Sequence, residues 1–542
     1  MLVTAIVTTV SLTAQQVTFE QILRTDMEPA NWLTYSGDVY SRRHSMLTQI
    51  APANVKDLEL QWAFQAMSLE KFEATPLAID GVLYTVQPPN DVVALDGASG
   101  RTFWTYRYKP ASTQGRPCCG RVNRGLAVLG NRLFMGTIDG RLVALEASTG
   151  RELWNVAVAG ARPEAGYAIT VAPLVVKDKV ILGPAGGDFG IRGFISAHDP
   201  ATGKELWRFD TIPGPGQAGN ETWAGDSWQR GGGGIWTTGS YDPQLNLTYW
   251  GVGNPGPDFN ADVRAGDNLY SNSVVALDPD TGKLRWHFQF TPRDEFDYDA
   301  TQVPVLADIE WQGRQRKVML WANRNAYWYV LDRATGEFLS GKPFTKATWT
   351  TGLDARGRPQ NMVRPTAEGT VIYPHFAGAT NWYSPSFSPG TGLFYFSAWM
   401  DSFATFARRP ADYVEGRAFL GAFPTGTALS INGTQQNRRL PGEGTGAIIA
   451  VDPRTGAERW KFPMSDVTDA GVLTTASGLL FSGGREGYVF ALDARTGALL
   501  WKGPVAGIVQ AAPMTYTVAG RQYVAIPAGN TLYGYSLPAR VK

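Results

Sequence analysis

Soft and imidazole ligands are scarce: 542 residues hold two cysteines and four histidines. The cysteines are neighbours, Cys118 and Cys119 in GRPCCGRVNRG, and the histidines are scattered at 44, 198, 287 and 375. The pair has no further cysteine to complete a zinc site. No C-x-x-C-H occurs, which excludes the common form of covalent haem attachment within these residues. Charge of one sign is also lacking: 49 Lys and Arg face 48 Asp and Glu, for a net +1. Neither nucleic acid nor an anionic membrane is then an electrostatic partner. Long apolar runs are missing too. LVTAIVTTVSLTA at 2–14 falls short of the roughly 20 residues that span a bilayer. It ends in small residues before Gln15 as a signal peptide does, but without the basic start. We expect residues 1–15 to be the remnant of an export signal or a disordered tail. No segment keeps a long helical period.

What is present is repetition. A short apolar strand, an acidic residue, a Thr-Gly or Ser-Gly turn and usually Trp four residues after the Gly recur seven times, as in VVALDGASGRTFW at 92–104 and LVALEASTGRELW at 142–154. Two degenerate copies, SYDPQLNLTYW at 240–250 and SFSPGTGLFYFSAW at 386–399, fill the long gaps. The turn positions then run 100, 150, 203, 246, 282, 336, 392, 456 and 497, about one four-stranded blade apart. A repeat of this length implies radial architecture, because one unit cannot bury its apolar face alone. We expect an all-β, eight-bladed β-propeller with tryptophan-docking motifs, one domain over 16–542 and no cytochrome domain. Each Trp is read as a ring filling the wedge between adjacent blades.

Across a trans peptide the Cα atoms of Cys118 and Cys119 lie about 3.8 Å apart, under the usual disulfide range of about 4.4–6.8 Å. The residues alone leave two free thiols or a strained eight-membered ring.

The Trp-docking repeat, the Cys-Cys followed by VNRG, and the run DEFDYDA at 294–300 together resemble the PQQ-dependent (quinoprotein) alcohol dehydrogenases of the methanol and ethanol dehydrogenase type. The resemblance spans nearly the whole chain, from NWLTYSGDVYSRRHS at 31–45 through GRQYVAIPAGN at 520–530. It implies that a Cys118–Cys119 disulfide ring packs on one face of pyrroloquinoline quinone (PQQ) and the indole of Trp236 on the other. Arg124 matches a cation for a cofactor carboxylate, Thr170 a hydroxyl donor, Gly187 a cofactor-binding position, Glu73 an acid at the quinone rim and Arg324 a cation beside the reactive carbonyls.

The resemblance also places a metal ion. Asn254 in GNPGP matches an amide ligand and Asp297 a catalytic carboxylate beside the ion, while Asp188 stands where the family generally carries Glu, one methylene longer. Asp299, two residues after Asp297, shares its face if the segment is extended. In the family an Asp there marks lanthanide enzymes, and an added carboxylate balances a trivalent ion better than a divalent one. A lanthanide is favoured over calcium.

The implied activity is oxidation of an alcohol to an aldehyde or ketone, with Asp297 as general base and electrons passed to a separate cytochrome c in the periplasm. Where methanol-oxidising relatives carry a Trp four residues after the Asn, this chain has Asp258. That suggests an open, polar mouth and alcohols bulkier than methanol. A homodimer is left open. The competing readings are a propeller scaffold of the outer-membrane assembly type and a homologue with a decayed site, motivated by Asp188. A scaffold has no reason to keep the cysteine pair, the acidic cluster and Arg324 together.

Overall fold

The computed structural model describes residues 16–111, 117–158, 160–425, 442 and 444–539. The expected export-signal remnant over 1–15 lies outside them. Eight sheets follow one another along the chain, each with four antiparallel strands, and the one at 473–504 gains His44–Ser45 as a fifth strand paired in parallel with Leu473–Thr475. Seven are continuous in sequence order, at 77–106, 127–157, 174–210, 240–289, 305–343, 386–464 and 473–504. The eighth combines 514–536 with the early strand Glu59–Gln65, which pairs with Thr531–Ser536 from Glu59 opposite Ser536 to Gln65 opposite Thr531. Chain start and chain end thus share one sheet, so the ring closes by hydrogen bonds and leaves no open end. Among the described residues no helix is long and apolar enough to cross a membrane.

The middle strands of each sheet are apolar on both faces because a neighbouring sheet covers each face. Val82–Gln87 is buried throughout, whereas the outermost strand Leu284–Gln289 alternates between half-buried and exposed. The repeated motif is the turn into that outermost strand. In seven sheets the turn Gly N–H donates to the carbonyl of the acidic residue four positions earlier, for example Gly150 to Glu146 and Gly203 to Asp199, both at 2.8 Å. Each indole lies on the turn of the next sheet: Trp62 on Gly100, Trp104 on Gly150, Trp154 on Gly203, Trp207 on Gly282, Trp286 on Gly336 and Trp460 on Gly497. The 329–340 copy has no Trp, and the Lys342 side chain covers Gly456 instead.

The two degenerate copies are something else. Residues 240–250 and 386–399 fold into the first hairpins of their sheets, Ser240–Asp242 with Leu247–Gly251 and Ser386–Ser388 with Leu393–Met400. Their sheets' outer turns are the ones at 282 and 456. Position 246 is an Asn with φ 51, a residue type that tolerates the left-handed region. Seven true turns plus the sheet closed by Glu59–Gln65 make the eight.

One segment reaches most of the ring. Between residues 32 and 43, backbone bonds link Trp32 to Ala78, Val39 to Tyr241, Tyr40 to Leu306, Arg42 to Phe387 and Arg43 to Thr474. The fully buried Arg43 guanidinium also donates to Tyr35 O at 2.8 Å, Thr75 Oγ1 at 3.1 Å and Pro513 O at 3.2 Å. A dozen residues can touch the first strands of so many sheets only if those strands surround a common axis, which this segment plugs.

The docking arrangement makes a testable distinction. A Cβ at Gly150 (φ +72) would lie 2.5 Å from the Trp104 ring, whereas one at Gly520 (φ +76) would meet nothing within 4 Å. Gly520→Ala should cost about 1–2 kcal/mol, the price of a left-handed backbone, and Gly150→Ala about 2–4 kcal/mol with overpacking added. Equal shifts of the two urea unfolding midpoints would count against a Trp-bearing role for this turn.

Candidate active site

Asp294 organises the acidic run. Its carboxylate accepts from Phe296 N–H at 3.0 Å and Tyr298 N–H at 2.8 Å. The chain therefore turns at Asp297, whose φ is 59, instead of running extended as the alternation of 297 and 299 suggests. The two carboxylates are nevertheless brought to one cation. Arg324 donates from Nη2 to Asp297 Oδ2 at 3.1 Å and from Nη1 to Asp299 Oδ2 at 2.7 Å. Asp299 Oδ1 accepts from Asn254 N–H at 2.5 Å. Both oxygens of Asp299 are thus engaged.

The third and fourth arms come from two neighbouring sheets. Asp188 sits in the short 3₁₀ turn Gly187–Phe189, and a Cβ at Gly187 would lie 2.6 Å from Asn254 Oδ1. The glycine run 231–234, which suggests close approach of a ligand beside Trp236, instead packs backbone on backbone. Gly232 N–H donates to Ile191 O and Gly233 N–H to Asn254 O, both at 2.8 Å, so the run joins the Asp188 arm to the Asn254 arm.

Asp258 is a correction to the sequence reading. It lines no open polar mouth: it is 1% exposed and accepts from Asn254 Nδ2 at 2.7 Å. Oxygens of Asp188, Asp258 and Asp297 lie within 4.8 Å of one another. Among the described residues, Asp258 Oδ2 and Asp297 Oδ1 are buried and find no hydrogen-bond partner. Burial raises the pKa of Asp188, and burial first, with the repulsion of neighbouring carboxylates second to it, pushes Asp258 and Asp297 well above the ordinary range. Arg324 opposes this at Asp297 and at Asp299, which is raised by burial to about 6.

A second cluster gathers Glu73, Arg124, Thr170 and Trp236. Arg124 pairs with Glu73 Oε2 at 2.9 Å and donates from Nη1 to Thr170 Oγ1 at 3.0 Å and to Trp236 O at 3.1 Å. Its guanidinium carbon lies 4.8 Å from the Trp236 ring centre and 4.9 Å from that of Trp382. Trp382, in GATNWYSP, is a participant sequence reasoning missed, since nothing in its local pattern separates it from a blade-filling Trp. Cys118 and Cys119 are disulfide-bonded, exposed, and lie just before the 121–124 segment. The two clusters are joined by backbone, because Gly253 N–H donates to Gly234 O at 2.9 Å, two residues before Trp236.

Comparison with known proteins accounts for this arrangement. Residues 32–341 match the family described as "Glucose/ethanol/alcohol dehydrogenase, beta-propeller domain". Quinohemoprotein alcohol dehydrogenase ADH IIB of Pseudomonas putida is 40% identical over 526 residues, covering 94% of this chain and 74% of that protein. The chain belongs to the PQQ-dependent alcohol dehydrogenases. The 1-butanol dehydrogenase (cytochrome c) of Thauera butanivorans is 37% identical, covering 92% of this chain and 74% of that protein. A europium-containing methanol dehydrogenase superposes with a TM-score of 0.87 at 32% identity, covering 96% of this chain and 100% of its own. Residues 444–539 also match the outer membrane protein assembly factor BamB. That stretch carries repeat turns but none of the acidic cluster, so the oxidoreductase reading stands over the scaffold.

The family implies PQQ and a metal ion, and the residues present fit both. Carboxylate oxygens, two of them buried and unpartnered, together with an amide oxygen beside a glycine that leaves room for it, are a donor set for a hard cation. A guanidinium between two indoles, with its Nε and the neighbouring Thr237 Oγ1 buried and unpartnered, suits a flat, polycarboxylate ring system.

His375 reports on the charge of this face. Fully buried, it accepts from Ala377 N–H at 2.9 Å. Burial, then the charges of Arg324 and Arg485, lower its pKa from 6.5 to about 3. The unfolded chain binds a proton between those values that the folded chain refuses, so stability falls as pH drops below about 6.5. The other three histidines are lowered as well. His375→Asn keeps an acceptor for Ala377 and should remove about 2 kcal/mol of the stability lost between pH 7 and pH 5. Parallel stability–pH curves for the two proteins would refute a neutral buried His375.

Proposed function

We propose that this chain is a periplasmic quinoprotein that oxidises alcohols bulkier than methanol to aldehydes or ketones. The observation that carries the reading is the buried, unpartnered Oδ1 of Asp297 beside Arg324 in a cluster with Asp188. Asp188, Asn254 and Asp297 would hold the ion, with Asp299 adding charge next to it. Glu73, Arg124, Thr170, Gly187, Trp236 and the Cys118–Cys119 ring would hold PQQ, with Trp382 beside them. When bound, PQQ supplies a two-electron hydride acceptor and the ion a Lewis acid.

The protein's own part is positioning and proton transfer. Asp297 Oδ1 takes the hydroxyl proton of the alcohol while Oδ2 stays on Arg324, which holds the carboxylate in place and favours its ionised form. Arg324 is fixed independently by donating to Phe376 O at 2.5 Å, so it can stabilise charge without reorganising. The acceptor is proposed to be a cytochrome c, which the Thauera relative's name specifies for that protein. Residues 16–542 are proposed to be one propeller domain. Bacterial relatives and a disulfide that needs an oxidising compartment support export. For the substrate, support comes from the relative named as a 1-butanol dehydrogenase. For a lanthanide over calcium, it comes from the number of carboxylates and from the europium-containing relative.

Dye-linked oxidation by apoprotein reconstituted with PQQ and either lanthanum or calcium tests this. Turnover of ethanol and longer alcohols with lanthanum is expected. A preference for methanol over every longer alcohol would overturn the substrate assignment, and no turnover with either metal would overturn the catalytic one. Asp297→Asn should lower kcat by roughly 10²–10⁴-fold, the usual worth of a general base.

A further inference from the structure

Two departures from the family pattern meet at one point. Position 188 carries a side chain one methylene short, and position 258 carries a carboxylate where methanol-oxidising relatives have an indole. The structure puts ligand-capable oxygens of both with one of Asp297, all within 4.8 Å. We propose that Asp258 is a metal ligand of this chain, supplying the reach that Asp188 lacks. The inference rests on the metal site proposed above and adds a residue to it.

Asp258 is built for this. At 1% exposure it cannot be solvated, and a buried carboxylate oxygen without a donor or counterion is strongly unfavourable. Asn254 Nδ2 satisfies Oδ1 at 2.7 Å, while Oδ2 has no partner. Arg264, the guanidinium whose charge acts on it, is spent elsewhere. Arg264 donates to Pro257 O at 2.9 Å, to Asn268 Oδ1 at 2.9 Å and to Asp294 O. Among the described residues no amide, hydroxyl or guanidinium donor answers Oδ2, the one other side chain hydrogen-bonded to Asp258 besides Asn254 being the acidic Asp188, and a cation among the three carboxylates would.

The same hydrogen bond gives Asp258 a second effect. By taking the Nδ2 donor it fixes the amide of Asn254, and the amide oxygen is left facing Gly187. A ligand and the orientation of its neighbour are thus set by one side chain. The charge also decides the class of ion. Four carboxylates, at 188, 258, 297 and 299, are set against two guanidiniums, Arg324 beside Asp297 and Asp299 and Arg264, whose charge reaches Asp258. The excess negative charge favours a trivalent hard cation over a divalent one of similar radius.

The test reads the ion directly. Terbium is titrated into the full-length apoprotein and into D258N and D258A, and luminescence decay in H₂O and D₂O counts the waters left on the ion. Both variants are expected to bind terbium at least tenfold more weakly, with about one more bound water, and to lose less affinity for calcium than for terbium. Without metal, D258N should unfold no earlier than the parent protein, because the amide keeps an acceptor for Asn254 and removes a buried charge. Unchanged terbium affinity and water count in both variants would overturn the inference. So would an early-unfolding D258N apoprotein with an unchanged water count, which would mark Asp258 as structural. If the parent protein binds neither terbium nor calcium, the metal site itself is refuted and Asp258 with it.

Discussion

The structure depends on the mutual cover of its sheets. The middle strands of every blade are apolar on both faces, so each sheet needs a neighbour on both sides, and a linear stack would leave two faces wet. A ring solves this only if it is closed, and closure has two fasteners. Glu59–Gln65 completes the last sheet and carries Trp62 onto Gly100 of the first, continuing across the seam the docking used between other blades. The segment around Trp32–Arg43 ties the inner strands together from the axis, with Arg43 donating to carbonyls of distant segments. Buried arginines are tolerable when donors are answered in this way, and burial lowers the pKa of Arg43 only to about 10, so it stays charged.

That rigidity is what the site draws on. Three carboxylates within 4.8 Å repel one another in a buried setting, and flexible loops would relieve the repulsion by spreading apart. Here each arm is held from behind. Asp294 caps the turn that sets Asp297, the glycine run binds the Asp188 and Asn254 arms together, and Asn254 N–H holds Asp299. The repulsion is kept as a standing affinity for positive charge. Asp297 at φ 59 adds a locally costly backbone at the residue that must present a free oxygen.

How much of this the sequence disclosed follows from the range of the interactions involved. The outer turns were legible because acid, Thr-Gly and Trp all act within about ten residues of chain. Hairpins at 246 and 392 passed for further copies because a left-handed turn residue followed by aromatics looks the same whether the turn lies at the inner or outer edge of a blade. Arg324, Asp297 and Asp299 meet as the family resemblance implies, but their geometry does not follow from alternation along a strand, since Asp294 bends the chain between them. Asp258 was misjudged for the same reason. Its environment is made by Asp188 and Asp297, from turns 70 and 39 residues away, and no local pattern tells a buried carboxylate from a polar rim. Trp382 was invisible among 18 tryptophans, because what sets it apart is Arg124, which faces it across the ring.

Arg324 shows how the two scales combine. It touches Asp297 and Asp299, and backbone groups hold it as well. The Phe376 carbonyl accepts from Nη2 at 2.5 Å, and a Cβ at Gly378 would lie 2.6 Å from the arginine stem, so backbone helps confine the side chain. A guanidinium held by its carboxylates would shift whenever their charge changed. A carbonyl and a closely packed glycine pre-organise this one beside both the acidic cluster and the proposed reacting centre.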